Sequence, residues 1–562
     1  MLARLASLVP EARTSRLLLA AIGVGVAVGL AVGILDYIVV ELLFHPILHL
    51  PIWLLAVAPL IGLLLTVWIL QTIGGGCSPS TSEEYINTFH ARHPVMENRP
   101  LRARLLAGMA TIGSGGALGL EGPSIYLGSA IGLRVQERFD RSLGRDSAKL
   151  LLTAGAAAGV SALFQTPATG LIFALESPYR DDVAHRALLP SLLASAAGFL
   201  TFASLPFIES GAEWGFAYRD EFGPGELAGA VAIGVGAGLG GRGFAWATIR
   251  AKTAAGRWSP WRLASVGGIV LGVLVVVSDA LFDEPLTLGP GYEIVEWVQE
   301  PHSLGLIVAL FCFRAVATLT TIGAGGVGGL FIPLAVQGVL LGSLVGRGLE
   351  YVGWGNNSDN AIWTVLGLAA FLAAGYRTPI AAVMFVAESS AGTAVVPALI
   401  AAAVSQLVTG KASVSAGQRV ERLGHLEERV TLPLASALTT DVLTVPPDAT
   451  VSEFVWVHAM GRRQRVVPVV DGSTYLGLCS LDAASGVDRD EWEQTTIGSI
   501  VAEDAPVARP SWTLRDALAA MEHSGDDVIA VLDEAGNFAG VVYESEIVKL
   551  SEILEETEGR DG

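Results

Sequence analysis

From Leu17 to Leu43 the chain has no basic residue and only two carboxylates, Asp36 and Glu41. Such a run is long enough to cross a bilayer as a helix. In lipid the backbone must satisfy its own hydrogen bonds, so the choice narrows to helix or closed barrel. Ile52 to Ile73 offers a second span, ending at "GGGCSPS". Apolar runs rich in Gly, Ala, Leu and Val recur up to about residue 424, after which the chain turns acidic. A membrane region therefore precedes a soluble tail. Charged residues make up 16% of the whole, against about 25% in soluble domains. The net charge of −19 leans on the tail and argues against a nucleic-acid partner. Cys77, Cys312 and Cys479 are too scattered for a disulfide framework or a metal site. Arg4, Arg13 and Arg16 before the first span, with no small-residue cleavage site after it, predict an uncleaved, cytoplasmic N-terminus.

Between the spans the pattern breaks up. Segments 104–118, 124–138, 147–163, 168–176, 361–375 and 379–387 are short, and Gly, Pro and Ser separate them. Longer runs lie at 186–205, 226–248, 262–281, 304–322, 328–348 and 394–409. Short interrupted segments predict helices that end inside the membrane, where protein must bury their ends or a polar cavity must receive them. Ordinary short helices packed through small residues are the plainer reading of any one of them.

The segments recur in order, which favours the first reading. "RLLAGMATIGSGGALGLEGPSIYLGSAIG" from Arg104 matches "RAVATLTTIGAGGVGGLFIPLAVQGVLLG" from Arg314 without a gap, at an offset of 210. Glu121 falls opposite Phe331. A second block at an offset of 212 aligns Thr166-Pro167 with Thr378-Pro379, Phe173 with Phe385 and Glu176 with Glu388. The membrane region is a duplication, and duplicated membrane proteins with broken helices tend to place their site between the halves.

Pro123 and Pro333 stand where helices would begin, after Gly-rich loops. Helix N-termini carry unpaired amides and roughly +0.5 charge, and glycine lets an anion approach them. The "CSPSTSEEY" segment offers a third such end, and Arg104 and Arg314 would add positive charge at depth. The predicted cavity prefers an anion. Glu121 would then occupy an anion's place when ionised and vacate it when protonated; simple capping of its own helix is the rival reading. Two GxGxxG runs, from Gly323 and within 236–241, lack the strand and the acid of a dinucleotide site and read as membrane packing.

These residues resemble the CLC chloride channels and chloride/proton exchangers: "GLEGP" (119–123), "GGLFIP" (328–333) and "GGCSPS" (75–80) stand in that family's order. The resemblance implies a homodimer with one anion pathway per subunit, each subunit built from two inverted halves. It makes Glu121 the gating and proton-carrying glutamate. The amides of Leu330 and Phe331, with Cys77 or Ser78, become the anion-coordinating groups. It also marks departures. Leu120 stands where the family often has Arg, and Val414, flanked by Ser413 and Ser415, stands in the slot of a central tyrosine. Ser177, after Glu176, stands where many exchangers keep an internal proton-relay carboxylate.

In the tail, Thr450-Val451 and Thr513-Leu514 begin two similar units at an offset of 63, each reading strand, helix, strand, turn, strand, helix. They resemble a pair of CBS domains, 433–490 and 495–552. The resemblance implies adenine nucleotide as a ligand, with Asp482 and Glu546 as the carboxylates on offer; a purely structural, dimerising tail is the alternative.

The expected fold is thus an all-α polytopic membrane domain over 1–424, with inverted, duplicated halves and broken helices, followed by a smaller α/β tandem CBS domain. The expected function is transport of chloride or a similar small anion, as antiporter or gated channel, with no cofactor required. A membrane-embedded enzyme using Glu121 as general base would need a second acid, a nucleophile or a metal set, and none stands out. A CBS-regulated cation transporter would need carboxylate-rich spans.

Overall fold

The computed structural model describes residues 12–91, 93–144, 147–208, 223–256, 258–351, 360–390, 394–420, 432–460, 466–502, 505–524, 527–547 and 549. Arg4 and the expected domain boundary at 424 lie outside them. The chain divides into two units, Met1–Arg422 and Leu423–Gly562.

The first unit is helical throughout its membrane region. Helix α1 (Ala12–Tyr37) continues through a π-turn at Ile38–Phe44, and α2 is Ala58–Thr72. Next come α3 (Ser82–His90), α4 (Asn98–Gly113), α5 (Glu121–Arg138), α6 (Ser147–Phe164), α7 (Pro167–Glu176) and α8 (Leu188–Ala203). Long helices α9 (Pro224–Ala255) and α10 (Pro260–Phe282) follow. Then come α11 (Leu304–Gly323), α12 (Phe331–Tyr351), α13 (Asn360–Tyr376), α14 (Pro379–Ser389) and α15 (Val395–Thr409), with a few helices of four or five residues between the longer ones. Among the described residues, eight helices are long and apolar enough to cross a membrane; α7, α13, α14 and α15 are apolar but shorter. The chain is an integral membrane protein.

The duplication is visible in the helices. Helices α4 to α8 correspond to α11 to α15. Pro123 and Pro333 each occupy the third position of a helix, where a missing N–H costs nothing. Gln165 and Arg377, equivalent residues just before the Thr-Pro pairs, both have positive φ (53° and 58°) and turn the chain sharply between consecutive helices. Helices α6 and α13 are buried nearly all round, as uniformly apolar, Ala- and Gly-rich segments must be. Glycine permits their close crossings. A Cβ on Gly128 would meet the Gly155 carbonyl oxygen at 2.1 Å, and one on the equivalent Gly338 would meet that of Gly367 at 2.3 Å.

The halves meet through reciprocal bonds. Gly119 and Gly329, equivalent at an offset of 210, pair antiparallel: Gly119 N donates to Gly329 O at 3.1 Å and Gly329 N to Gly119 O at 2.7 Å. Val327 N donates to Thr111 Oγ1 at 3.0 Å, and its equivalent Ala117 N to Thr321 Oγ1 at 3.2 Å. Exchange between equivalent groups running in opposite directions is the local signature of a two-fold axis, so the halves are inverted there.

In the second unit, β1 (Val466–Asp471) pairs antiparallel with β2 (Thr474–Ser480). The short β3 (Val507–Ala508) runs parallel to β4 (Val528–Leu532), which pairs antiparallel with β5 (Phe538–Tyr543). A parallel bridge between Val445 and Val469 repeats the Ala508–Val531 pairing of the other half. Helix α16 (Leu481–Ser485) follows β2, and α17 (Leu514–Ser524) stands between β3 and β4. Both halves of this second unit carry a threonine cap: Thr450 Oγ1 accepts from Glu453 N and Thr513 Oγ1 from Asp516 N.

Candidate functional site

The N-termini of α5 and α12 face one another across the Gly119–Gly329 bridge, so both sets of unpaired amides open toward one place. Glu121 is the first residue of α5 and is 1% exposed. It does not simply cap its own helix. Oε1 accepts from the Phe331 amide, the first of α12, at 2.5 Å. The other oxygen is buried and has no hydrogen-bond partner among the described residues. Two glycines leave room for the group: a Cβ on Gly119 would meet Oε2 at 2.0 Å, and one on Gly329 would meet Oε1 at 2.2 Å. A carboxylate therefore sits at the amide start of the opposite half's helix.

Beside it lies a cavity of about 530 Å³, whose wall includes Cys77, Ser78, Leu330, Tyr376, Val414 and Lys252. Thus Cys77, Ser78 and Leu330 line one cavity, and Phe331, whose amide meets Glu121, follows Leu330 directly in the chain. Ser78 is held by Arg104, whose Nε donates to the Ser78 carbonyl at 2.9 Å and whose NH2 donates to the hydroxyl oxygen at 3.0 Å. That leaves the Ser78 O–H to be donated.

Arg104 and Arg314 do lie at depth, but both spend their charge on other partners. Arg104 pairs with Glu84 at 3.0 Å and donates to Tyr126 Oη at 2.6 Å. Arg314 spends its guanidinium on the carbonyls of Leu286, Leu288, Gly289 and Pro290, the shortest bond being 2.7 Å. A buried cation needs such partners, and Arg314 uses them to hold the 286–290 turn. The cation in the cavity wall is Lys252, paired with Glu83 at 2.7 Å. Sequence reading missed it, since a lysine in a last helical turn reads as dipole complement. It also missed Tyr376, whose hydroxyl accepts from Leu330 N at 3.2 Å. The available signal was the repeat itself, which sets Tyr376 opposite Phe164.

Glu176 and Glu388 form a reciprocal pair. Glu388 accepts from the amides of Ala168 and Thr169 at 2.8 and 2.7 Å, and from Thr169 Oγ1 at 2.6 Å. Glu176 accepts from the amides of Ile380 and Ala381 at 3.1 and 2.8 Å. Each carboxylate caps the short helix of the other half. Both oxygens of Glu176 are so committed, while the Ser177 hydroxyl is buried without a partner among the described residues. Ser413 is tied to Gln418 Oε1 at 2.6 Å, and Ser415 reaches the cavity wall beside Val414.

Residues 61–410 match the family model described as voltage gated chloride channel. The chain belongs to that family. Among curated relatives, the H(+)/Cl(-) exchange transporter ClcA of Salmonella paratyphi A is 28% identical over 308 residues, covering 52% of this chain and 62% of the relative. The chain therefore spans somewhat under two thirds of that relative's length. Two solved structures share the fold. A slow cyanobacterial Cl-/H+ antiporter superposes with a TM-score of 0.62 at 22% identity, over 71% of this chain and 96% of that one. A eukaryotic CLC transporter superposes with a TM-score of 0.61 at 17% identity, over 95% and 98%.

Residues 497–552 match the CBS domain model. Asp482 sits in the first turn of α16, whose N-cap is Ser480. Glu546, in the other half of the tail, pairs with Lys549 at 2.7 Å.

Proposed function

We propose that this protein carries chloride, or a small anion of similar charge, across the membrane, with Glu121 as the group that trades places with the anion. One observation carries the reading: the Glu121 carboxylate accepts from the first amide of α12. Whatever that amide holds must be an anion or an acceptor, and a protonated Glu121 loses the charge that favours it there. The Phe331 amide, with Leu330, Cys77 and Ser78, forms the anion's path; the Leu330 amide reaches it through the Tyr376 hydroxyl, to which it donates. A general-base enzyme takes less support, because the Glu121 carboxylate is engaged by the Phe331 amide and packed against Gly119 and Gly329.

Chloride/proton antiport takes support from the intact Glu121 and from the similarity to an H(+)/Cl(-) exchange transporter. A gated channel takes support from Glu176, whose oxygens are held by the α14 amides, and from Ser177, which cannot ionise near neutral pH. A proton route from the inside would then run along hydroxyls and water at Ser177. Liposomes loaded with chloride and lacking a pH gradient decide between them. Uphill proton movement that disappears in Glu121→Gln makes the protein an exchanger; chloride efflux without proton movement makes it a channel; no anion flux at all overturns the reading.

The assembly we propose is a homodimer in the cell membrane with the N-terminus and tail in the cytoplasm. The tail is a tandem CBS pair, 433–490 and 495–552, with an adenine nucleotide as the ligand class to test against Asp482 and Glu546.

A further inference from the structure

We infer that the Tyr376 hydroxyl is a direct ligand of the transported anion, which makes Tyr376 a specificity-determining residue of the pathway; this rests on the anion-transport reading above. Tyr376 ends α13 and is 3% exposed, yet it forms part of the cavity wall. Its oxygen accepts from Leu330 N at 3.2 Å, one residue before the amide that holds Glu121. A phenol that accepts one bond still has its own hydrogen to donate. The Val414 side chain in the same wall brings only methyl groups and has no hydrogen to donate. The Ser82 hydroxyl is buried in that wall too.

The hydroxyl is held in place from several sides. The Phe173 ring meets the Tyr376 ring edge-on, with centroids 5.3 Å apart at 87°. Gln418 Nε2 donates to the Tyr376 carbonyl at 2.9 Å, and Val414 N donates to the Gly375 carbonyl at 2.9 Å. A donor fixed in this way loses little rotamer freedom when an anion arrives.

The duplication isolates the hydroxyl as the feature that differs. The equivalent of Tyr376 in the first half is Phe164, which stacks on Phe331 at 4.6 Å and 29°. Two aromatic rings thus flank the start of α12. Packing is served by a plain ring at one of them; only the ring beside the Leu330 amide carries an O–H.

Chloride titration of the purified full chain by calorimetry, parent against Tyr376→Phe, tests the inference. Loss of a hydrogen bond to a charged partner is expected to weaken binding about tenfold or more. Parent-like affinity, within about twofold, overturns the inference and leaves the transport reading standing; a parent that binds no chloride overturns both. If Tyr376→Phe does not fold, 3-fluorotyrosine at position 376 replaces it. A ¹⁹F resonance that moves with chloride and saturates with binding supports the inference, and one that stays still at saturating chloride overturns it.

Discussion

Phe331 donates its amide to the Glu121 carboxylate at 2.5 Å, and the two residues occupy equivalent positions in the inverted halves. The site is the place where the internal symmetry fails. A charge on one side has become, on the other, the helix start that receives it.

Glu121→Gln keeps the shape and removes the charge. Anion flux in liposomes should persist and lose its dependence on external pH, whereas the parent's flux should rise as acidification neutralises the carboxylate. A variant that keeps the parent's pH profile would remove Glu121 from the gate.

Gly329→Ala puts a methyl group 2.2 Å from where Glu121 Oε1 now lies. The carboxylate must leave, so the flux of this variant should approach that of Glu121→Gln and its pH dependence should flatten. A parent-like pH profile in folded Gly329→Ala would show that the carboxylate position does not control flux.

Glu176 and Glu388 are expected to act on stability. Glu388→Ala removes three charge-assisted hydrogen bonds to α7 and should cost about 2–4 kcal/mol, read as a lower Tm in detergent. Glu176→Gln should lower Tm less, since one oxygen still accepts, and should leave any chloride-to-proton ratio unchanged. A changed ratio would restore Glu176 to the proton route.

In the tail, burial pushes the Cys479 thiol up to about 11. Only the thiolate alkylates readily. At pH 8 iodoacetamide should therefore modify Cys479 in the full chain only after denaturant is added, as peptide mass spectrometry would report. Modification at the same rate without denaturant would mean that the first half of the tail opens readily.

Asp533 is held below the usual carboxylate range chiefly by the Asn537 amide, which donates to it at 2.8 Å. A depressed folded pKa stabilises the turn above the unfolded value of about 3.9, and this is lost as pH falls through the folded value. Hydrogen exchange between β4 and β5 should be faster in Asp533→Asn than in the parent at pH 7. The two should converge well below pH 4, and equal rates at pH 7 would refute the turn's reliance on the charge.

Much of this protein was legible in one dimension. Apolar run lengths, Gly and Pro breaks and the offsets of 210 and 212 are local properties, and lipid permits few backbone solutions to them. They foretold the broken helices, the duplication and a lone carboxylate at a helix start. Which amide that carboxylate reaches is a different kind of fact. Glu121 could cap its own helix or cross to α12, and only the packing of the halves about Gly119 and Gly329 decides. The same holds for Arg314, which resembles Arg104 in the repeat yet serves a turn at 286–290. It holds as well for Tyr376, whose hydroxyl finds Leu330 across 46 residues of chain. Sequence determines what each segment must bury and where its helix ends leave amides unpaired; tertiary structure chooses the partners, because hydrogen bonds are satisfied by whatever the packing brings within about 3 Å.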